Sequence, residues 1–400
     1  MILRNRIDME KRLSIIIWLA LAILMVYLKC DGFSAPVHSK EYSSSNSSVS
    51  FRKAPYIIFS GDRTQMDILW QLDTTAASTI SWGVDTTYGW GSTQTSEYDN
   101  DHQHKFALSE LIPGMRYCYR VSVGNESYKG LFYAAPWPSM ARITFFVYGD
   151  TRMNPDIHDK VANKIVSTFP LNYKNQSFII SVGDLVDDGN DERDWDDQFF
   201  NRSLSNIQKM LANIPYQSVM GNHEGKGELF TKYFPYPYIS NRYWSFDYGS
   251  AHFVMLDQYT PYDSGSAQLE WIQKDLFSSD RPWKFIVLHE PGWSAGGEHK
   301  NNLDVQRYIQ PLCVKYGVPI VFSGHCHYYA RAVVDGVEHI TTGGGGAPLH
   351  KPHPDYPNVV ATAAENHFCK VDIFGTRLHF AAIALDGTII DSFSIRINQH

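Results

Sequence analysis

Four hundred residues leave room for two or three domains, and the 44% hydrophobic and 14% aromatic content supplies real cores. A formal net charge of −7 argues against a nucleic-acid scaffold role but leaves anionic substrates open, because bound cations invert a local field whatever the net charge. The cysteines (Cys30, Cys118, Cys313, Cys326 and Cys369) are too few and scattered for a disulfide framework, and the absence of a CxxC pair excludes a zinc knuckle.

The chain opens with Arg4, Arg6, Lys11 and Arg12, followed by the apolar run Leu13 to Leu28. A basic flank before an apolar stretch predicts a signal peptide or signal anchor over residues 1–30, with possible membrane anchoring through residues 13–28. No small-x-small cleavage site follows, since Phe33-Ser34-Ala35 runs into Pro36, so cleaved and retained forms both stay open. Either way the protein is expected to be exported, secreted or anchored with its main body outside the cytoplasm. Residues 31–50 are polar and serine-rich, the composition of a flexible linker. Asn46, Asn125, Asn175 and Asn201 fit the N-glycosylation pattern and agree with export.

Residues 51–138 read as all-β. Met66 to Leu72, Ser78 to Trp82 and Arg116 to Val123 alternate apolar and polar residues, with turn signals such as Pro113-Gly114 between runs, the spacing of a small β-sandwich. Pro136-Trp137-Pro138 reads as a linker. From residue 139 to 400, apolar strands alternate with helical patterns, the mark of an α/β arrangement. Strands are expected at Arg142 to Tyr148, Ser177 to Val182, Gln217 to Met220, His252 to Leu256, Lys284 to Leu288 and Pro319 to Phe322. Helices are expected at Pro155 to Phe169, Ala267 to Phe277 and Val305 to Tyr316, and strands return from His367 to Ile397.

The chemistry sits where the strands end. The first runs into Gly149-Asp150-Thr151-Arg152 and the second into Gly183-Asp184-Leu185-Val186-Asp187. Later ones run into Gly221-Asn222-His223-Glu224, His289-Glu290 and Gly324-His325-Cys326-His327. In an α/β sheet the loops outside the carboxyl ends of strands converge, and glycines there allow close backbone approach. Asp, Asn and His are oxygen and nitrogen donors suited to Fe, Zn or Mn.

This ordered series resembles the calcineurin-like metallophosphoesterases. With a β-sandwich in front, it is most similar to the purple acid phosphatase branch and its fibronectin-III-like N-terminal domain. The resemblance implies a multi-domain fold, in which that β-sandwich precedes a four-layer α/β/β/α catalytic sandwich. It implies two metal ions (Fe, Zn or Mn) bridged by Asp184. Asp150 and His327 would hold one, and Asn222, His289 and His325 the other. His223 would face the substrate phosphate, with Asp187 orienting it through a hydrogen bond.

Two positions depart from the pattern. The family's purple members carry a tyrosine where this chain has Asp187, and others carry a histidine where it has Arg152. The first metal therefore lacks its usual extra ligand, which predicts weaker occupancy and no purple colour. His158 is a candidate to complete that shell. Arg152 is a candidate phosphate contact or a surface ion pair. The acidic stretch from Asp187 to Asp197 reads as a solvated helix start, and Gly343–Gly346 as close backbone packing near the site. His350 and His353 are candidates to line its mouth, and Glu224 and Glu290 to support it. The implied substrate is a small phosphorylated molecule, a monoester before a diester. A phosphodiesterase or nucleotide-cleaving enzyme on the same site, and an inactive cell-surface binding protein, are the alternatives.

Overall fold

The computed structural model describes residues 49–98, 101–139, 142–168 and 176–397, and Val49–His400 forms one compact unit. The N-terminal apolar run, the serine-rich stretch, Asn46 and Asn175 lie outside the described residues. Among those residues, no helix is long and apolar enough to cross a membrane.

Strands β1 (Phe51–Ile58), β2 (Met66–Leu72), β3 (Ser78–Gly83), β4 (Gly91–Thr95), β5 (Gln103–Leu108), β6 (Arg116–Val123) and β7 (Glu126–Tyr133) form an N-terminal β-rich region. They build two antiparallel sheets in the orders β1-β2-β5 and β4-β3-β6-β7. Burial alternates along parts of β6 and β7, where Tyr119, Val121 and Phe132 are inaccessible to solvent, whereas β2 is buried on both faces, Ile68, Leu69 and Trp70 alike.

Two mixed sheets follow. The first, six-stranded, holds β8 (Arg142–Tyr148), β9 (Gln176–Ser181) and β10 (Tyr216–Ser218) in parallel, extended by the antiparallel β18 (His367–Phe374), β19 (Arg377–Ala384) and β20 (Ile389–Arg396). The second, seven-stranded, runs in the order β11 (Trp244–Tyr248), β12 (Ala251–Met255), β13 (Trp283–Val287), β14 (Ile320–Ser323), β16 (Val337–Thr342), β15 (Tyr329–Val334), β17 (Val359–Ala363). The sheets meet through aromatics: Phe145 of β8 lies 5.1 Å from Phe253 and 5.4 Å from Phe285 of the second sheet, ring centre to ring centre. Such strands carry nearly continuous apolar runs because both faces are covered.

Four principal helices are α1 (Pro155–Thr168), α2 (Ser205–Asn213), α3 (Ala267–Ser278) and α4 (Gln310–Tyr316). Helix α3 starts where the Ser266 hydroxyl accepts from Leu269 N, and it buries Leu269, Ile272 and Leu276 along one stripe. These pack with Ile309 and Leu312 against Val254, Ile286 and Val321 on the second sheet's outward face. Each such side chain contributes about 1.5–3 kcal/mol by leaving water.

The β-rich region docks on α2: the Tyr119 hydroxyl donates to Ala212 O at 2.8 Å, and Asn213 Oδ1 accepts from Leu131 N at 2.9 Å. Part of the acidic stretch is here rather than in solvent. The buried Lys53 ammonium bonds Glu192 at 2.8 Å, and Arg52 bonds Asp196 at 2.7 Å. Burial pulls the Lys53 pKa down while the two carboxylates oppose it. The stretch is a helix start, with Asp191 accepting from Arg193 N as its cap, and Glu192 and Asp196 also hold the two cations of β1.

One buried histidine carries a pH-dependent share of the stability. His252 on β12 is held between Asp247 and Asp275, at 2.8 Å from each. Burial disfavours its charge, but the two carboxylates win and push its pKa to about 9 from an ordinary 6.5. A raised pKa stabilises fully below the unfolded value and is lost as pH climbs through the folded one. Between pH 6.5 and 9 this contribution, on the order of 3 kcal/mol at most, is expected to disappear. Urea midpoints of wild type and His252→Gln at both ends of that window check it. An equal gap at the two pH values would sink it.

Candidate metal centre

Asp150, Arg152, Asp184, Asp187, Asn222, His223, His289, His325 and His327 lie at one edge, where strands of both mixed sheets end, whereas His353 is exposed and bonds Ala295 O through its backbone N. Asp150 and Asp184 follow β8 and β9, and Asn222, His223 and Glu224 form a tight turn after β10. His289 follows β13, and His325 and His327 follow β14. Asp150, Asp184 and His325 have φ of 55°, 55° and 65°. Side chains other than glycine pay to sit there, and that strain aims all three side chains inward. Glycines provide the room: a Cβ on Gly221 would stand 2.1 Å from Asp184 Oδ1, and one on Gly324 2.4 Å from Asp150 Oδ2. Gly343–Gly346 serve the same purpose, with Gly345 N donating to Gly149 O at 2.9 Å and no room for a Cβ on Gly343.

Two donor sets share Asp184. In one, Asp150, Asp184 and His327 place their ligand atoms within 4.8 Å of one another, with His327 Nε2 3.6 Å from Asp150 Oδ1. In the other, Asn222 Oδ1 lies 3.1 Å from His289 Nε2 and 3.0 Å from His325 Nδ1, and Asp184 Oδ1 is 3.4 Å from His289 Nε2. Ligands roughly 2.1 Å from a common ion stand about 3.0–3.4 Å apart, so the second set fits a transition metal. The tautomers fit as well. His289 Nδ1 bonds Val182 O at 2.7 Å and His327 Nδ1 bonds Pro348 O at 2.8 Å, which turns each Nε2 lone pair inward. Lone pairs that face one another in a buried cleft need a cation between them.

The charge pattern says the same. Burial lifts the Asp150 carboxyl to about 8, and Asp184 beside it adds to the rise. Burial would raise Asp184 too, but His289 holds it below the ordinary range. Burial disfavours charge on His289, yet Asp184 and Asp150 drive it up to about 10, a proton standing where a metal would. Burial pulls His325 down to about 2 and His327 to about 3.

His223 Nε2 lies 3.9 Å from Asp184 Oδ2, and its Nδ1 bonds Asp187 at 2.6 Å. That bond goes to the Asp187 carbonyl, and the Asp187 carboxylate stands 3.7 Å from the same nitrogen. The carboxylate also accepts from Arg152 Nη1 at 2.8 Å. Arg152 Nε lies 3.7 Å from Asp184 Oδ2 and is buried without a hydrogen-bond partner. The two departures from the family pattern thus form an ion pair beside the Asp150–Asp184–His327 set. His158 is not part of the site. Its Nε2 meets the Tyr148 hydroxyl at 3.0 Å in the core, and burial lowers its pKa to about 3.

His350 does line the mouth, its ring 3.9 Å from that of His327, and its Nδ1 accepts from His327 N. Sequence reasoning missed His299, whose ring is 3.9 Å from that of His325; its only signal was its place in the loop after His289. It also missed Gln258, whose Oε1 accepts from His289 N at 2.7 Å and Glu290 N at 2.6 Å. The Glu290 carboxylate accepts from Asn302.

Glu224 ties two loops together. Its buried carboxylate accepts from Leu185 N at 2.7 Å, Asp184 N at 3.0 Å and Gly221 N at 2.6 Å. Burial and Asp184 raise its pKa to about 7, against these bonds. Glu224 donates nothing here, so the carboxylate is the form that suits the geometry. Glu224→Gln turns an amide N–H₂ against backbone N–H groups and is expected to cost about 1–3 kcal/mol. A lowered melting temperature and reduced turnover would register it, and an unchanged melt would refute the clamp.

Residues 143–329 match the calcineurin-like phosphoesterase family. The chain carries a calcineurin-like metallophosphoesterase domain. Among curated relatives, it is 29% identical to Arabidopsis thaliana purple acid phosphatase 21 over 62% of this chain and 59% of that one. It is 33% identical to A. thaliana purple acid phosphatase 15, over 34% of this chain and 28% of that one. The chain thus spans three-fifths or less of these relatives. A purple acid phosphatase structure from yellow lupin (Lupinus luteus) seeds shares the fold at a TM-score of 0.68 and 20% identity, covering 86% of this chain and 74% of that one. The PhoD structure matches at a TM-score of 0.68 and 13% identity, over 88% and 92%. The metallophosphoesterase fold is common to all three.

Proposed function

We propose that this metallophosphoesterase domain hydrolyses phosphate esters, monoesters before diesters, at a dinuclear metal centre outside the cytoplasm. The observation that supports it is the convergence of Asp150, Asp184, Asn222, His289, His325 and His327 from five strand ends around one shared carboxylate. In this reading Asp150 and His327 would hold one ion, Asn222, His289 and His325 the other, and Asp184 would serve both. Two such ions, Fe, Zn or Mn, would supply charge for the phosphate oxygens and acidify water to a nucleophile near neutral pH.

The chain's own residues do the rest. His223, its Nδ1 fixed on the Asp187 carbonyl, presents Nε2 to the cleft, where in its protonated form it gives a proton to the leaving oxygen. Arg152, steadied by Asp187, offers its unpartnered Nε to a phosphate oxygen. A monoester, with its extra charge, gains more from that contact than a diester. Val182 O and Pro348 O hold the two histidines in the tautomer the reaction needs. Export rests on the basic flank and apolar run at the N-terminus.

The test is hydrolysis of a chromogenic monoester and its diester by the chain from Phe51 onward, loaded separately with Fe, Zn or Mn. Faster monoester turnover is expected. Faster diester turnover reassigns the substrate class, and no turnover with any metal removes the enzyme reading.

A further inference from the structure

At the far end of the six-stranded sheet lies a second charged constellation. Arg142 opens β8, whose other end leads to Asp150, so a strand of roughly 20 Å separates it from the metal centre. Phe145 faces the second sheet, which turns Arg142 and Thr144 outward. Register then sets a row across four strands: Arg142 pairs with Phe374, Phe374 with Arg377, and Arg377 with Arg396. Directly paired residues share a face, with about 5 Å between strands. The row borders a groove of about 630 Å³, also lined by Asp372 and His379.

Five features point to a ligand. None of the three arginines has an ion-pair partner among the described residues. The groove's one carboxylate is already taken, since Asp372 accepts from Thr144 and from Lys370, each at 2.6 Å. Like charges directly opposite, as at Arg377 and Arg396, destabilise a sheet, and here they do so in a chain of net charge −7. All three cations are arginines, the fork that recognises oxyanions in two-point fashion. Between them Phe374 stands 63% exposed, an aromatic face that stacks on no ring among the described residues.

We propose that this groove binds a nucleoside di- or triphosphate, independently of the metal centre. Arg377 and Arg396, on neighbouring strands, grip adjacent phosphates. Phe374, the next residue in the row, stacks on the base, a contact open to any planar ring. Arg142 closes the far side over the ring or its sugar. A groove of this volume is in the range of small-molecule sites.

Calorimetric titration of the full chain with a non-hydrolysable methylene analogue of ATP, inorganic triphosphate and adenosine tests it. The analogue should bind, triphosphate at least fivefold more weakly, and adenosine not measurably. Arg377→Gln/Arg396→Gln should weaken the analogue at least tenfold, as expected from losing charged hydrogen bonds. Phe374→Ser should bring the analogue down to the affinity of triphosphate. Neither change touches the metal centre, so monoester turnover should persist in both. These side chains are exposed, and removing facing charges should hold or raise the melting temperature without ligand. Unchanged binding in the double variant would place the analogue at the metal centre and overturn the proposal. Equal affinity for triphosphate and analogue would remove the nucleoside, and no binding would remove the site.

Discussion

Asp184→Asn is expected to leave less than about a thousandth of wild-type monoester turnover, a barrier increase of roughly 4 kcal/mol. The side chain keeps its shape, so the fold should survive, and far-UV circular dichroism would show it. What goes is the charge that faces both donor sets: Oδ1 is 3.4 Å from His289 Nε2, and the carboxylate lies within 4.8 Å of the ligand atoms of Asp150 and His327. A neutral amide can offer one oxygen to one ion but cannot bridge two and offset their charge. Metal content should therefore fall along with activity. A metal present at a hundred times its dissociation constant raises the stability of the native protein by about 2.7 kcal/mol, and this increment should shrink in the variant. Retention of a tenth of the turnover with full metal content would remove Asp184 from the centre of the site.

Much of this was legible in the sequence because strand ends in an α/β sheet converge, so that ligand-type residues after apolar runs are neighbours before any coordinates exist. That rule gathered Asp150, Asp184, Asn222, His289, His325 and His327 at one edge, and their expected roles as ligands came from the resemblance. The alternation of β2 and β6 likewise announced an antiparallel region. What could not be read were contacts set by tertiary packing. His158 has a ligand's side chain, but its helix turns it into the core against Tyr148. Gln258 has no ligand chemistry to attract notice, yet it fixes the backbone on both sides of the His289 peptide. Glu192 and Asp196 look like solvated charge until β1 brings Lys53 and Arg52 to them. The pairing of Arg152 with Asp187 is of the same kind, because 35 residues separate them in sequence.

His223 and Asp187 give the second large effect, and together they separate backbone from side-chain roles. If His223 gives the leaving oxygen its proton, as proposed, His223→Asn is expected to cost a factor of about 10²–10⁴ in kcat. The loss should be smaller for an ester whose leaving group is a stable anion, since such a group needs no proton. Asp187→Ala should behave differently. The 2.6 Å bond that orients His223 comes from the Asp187 carbonyl, which alanine retains, whereas the 2.8 Å bond to Arg152 is lost. Its cost should therefore appear in KM, through a freed Arg152, with the leaving-group dependence of kcat unchanged. If Asp187→Ala instead reproduces the leaving-group dependence of His223→Asn, the carboxylate orients His223 after all, and the division between carbonyl and side chain fails. If His223→Asn slows good and poor leaving groups alike, His223 stabilises the phosphate and is not the proton donor.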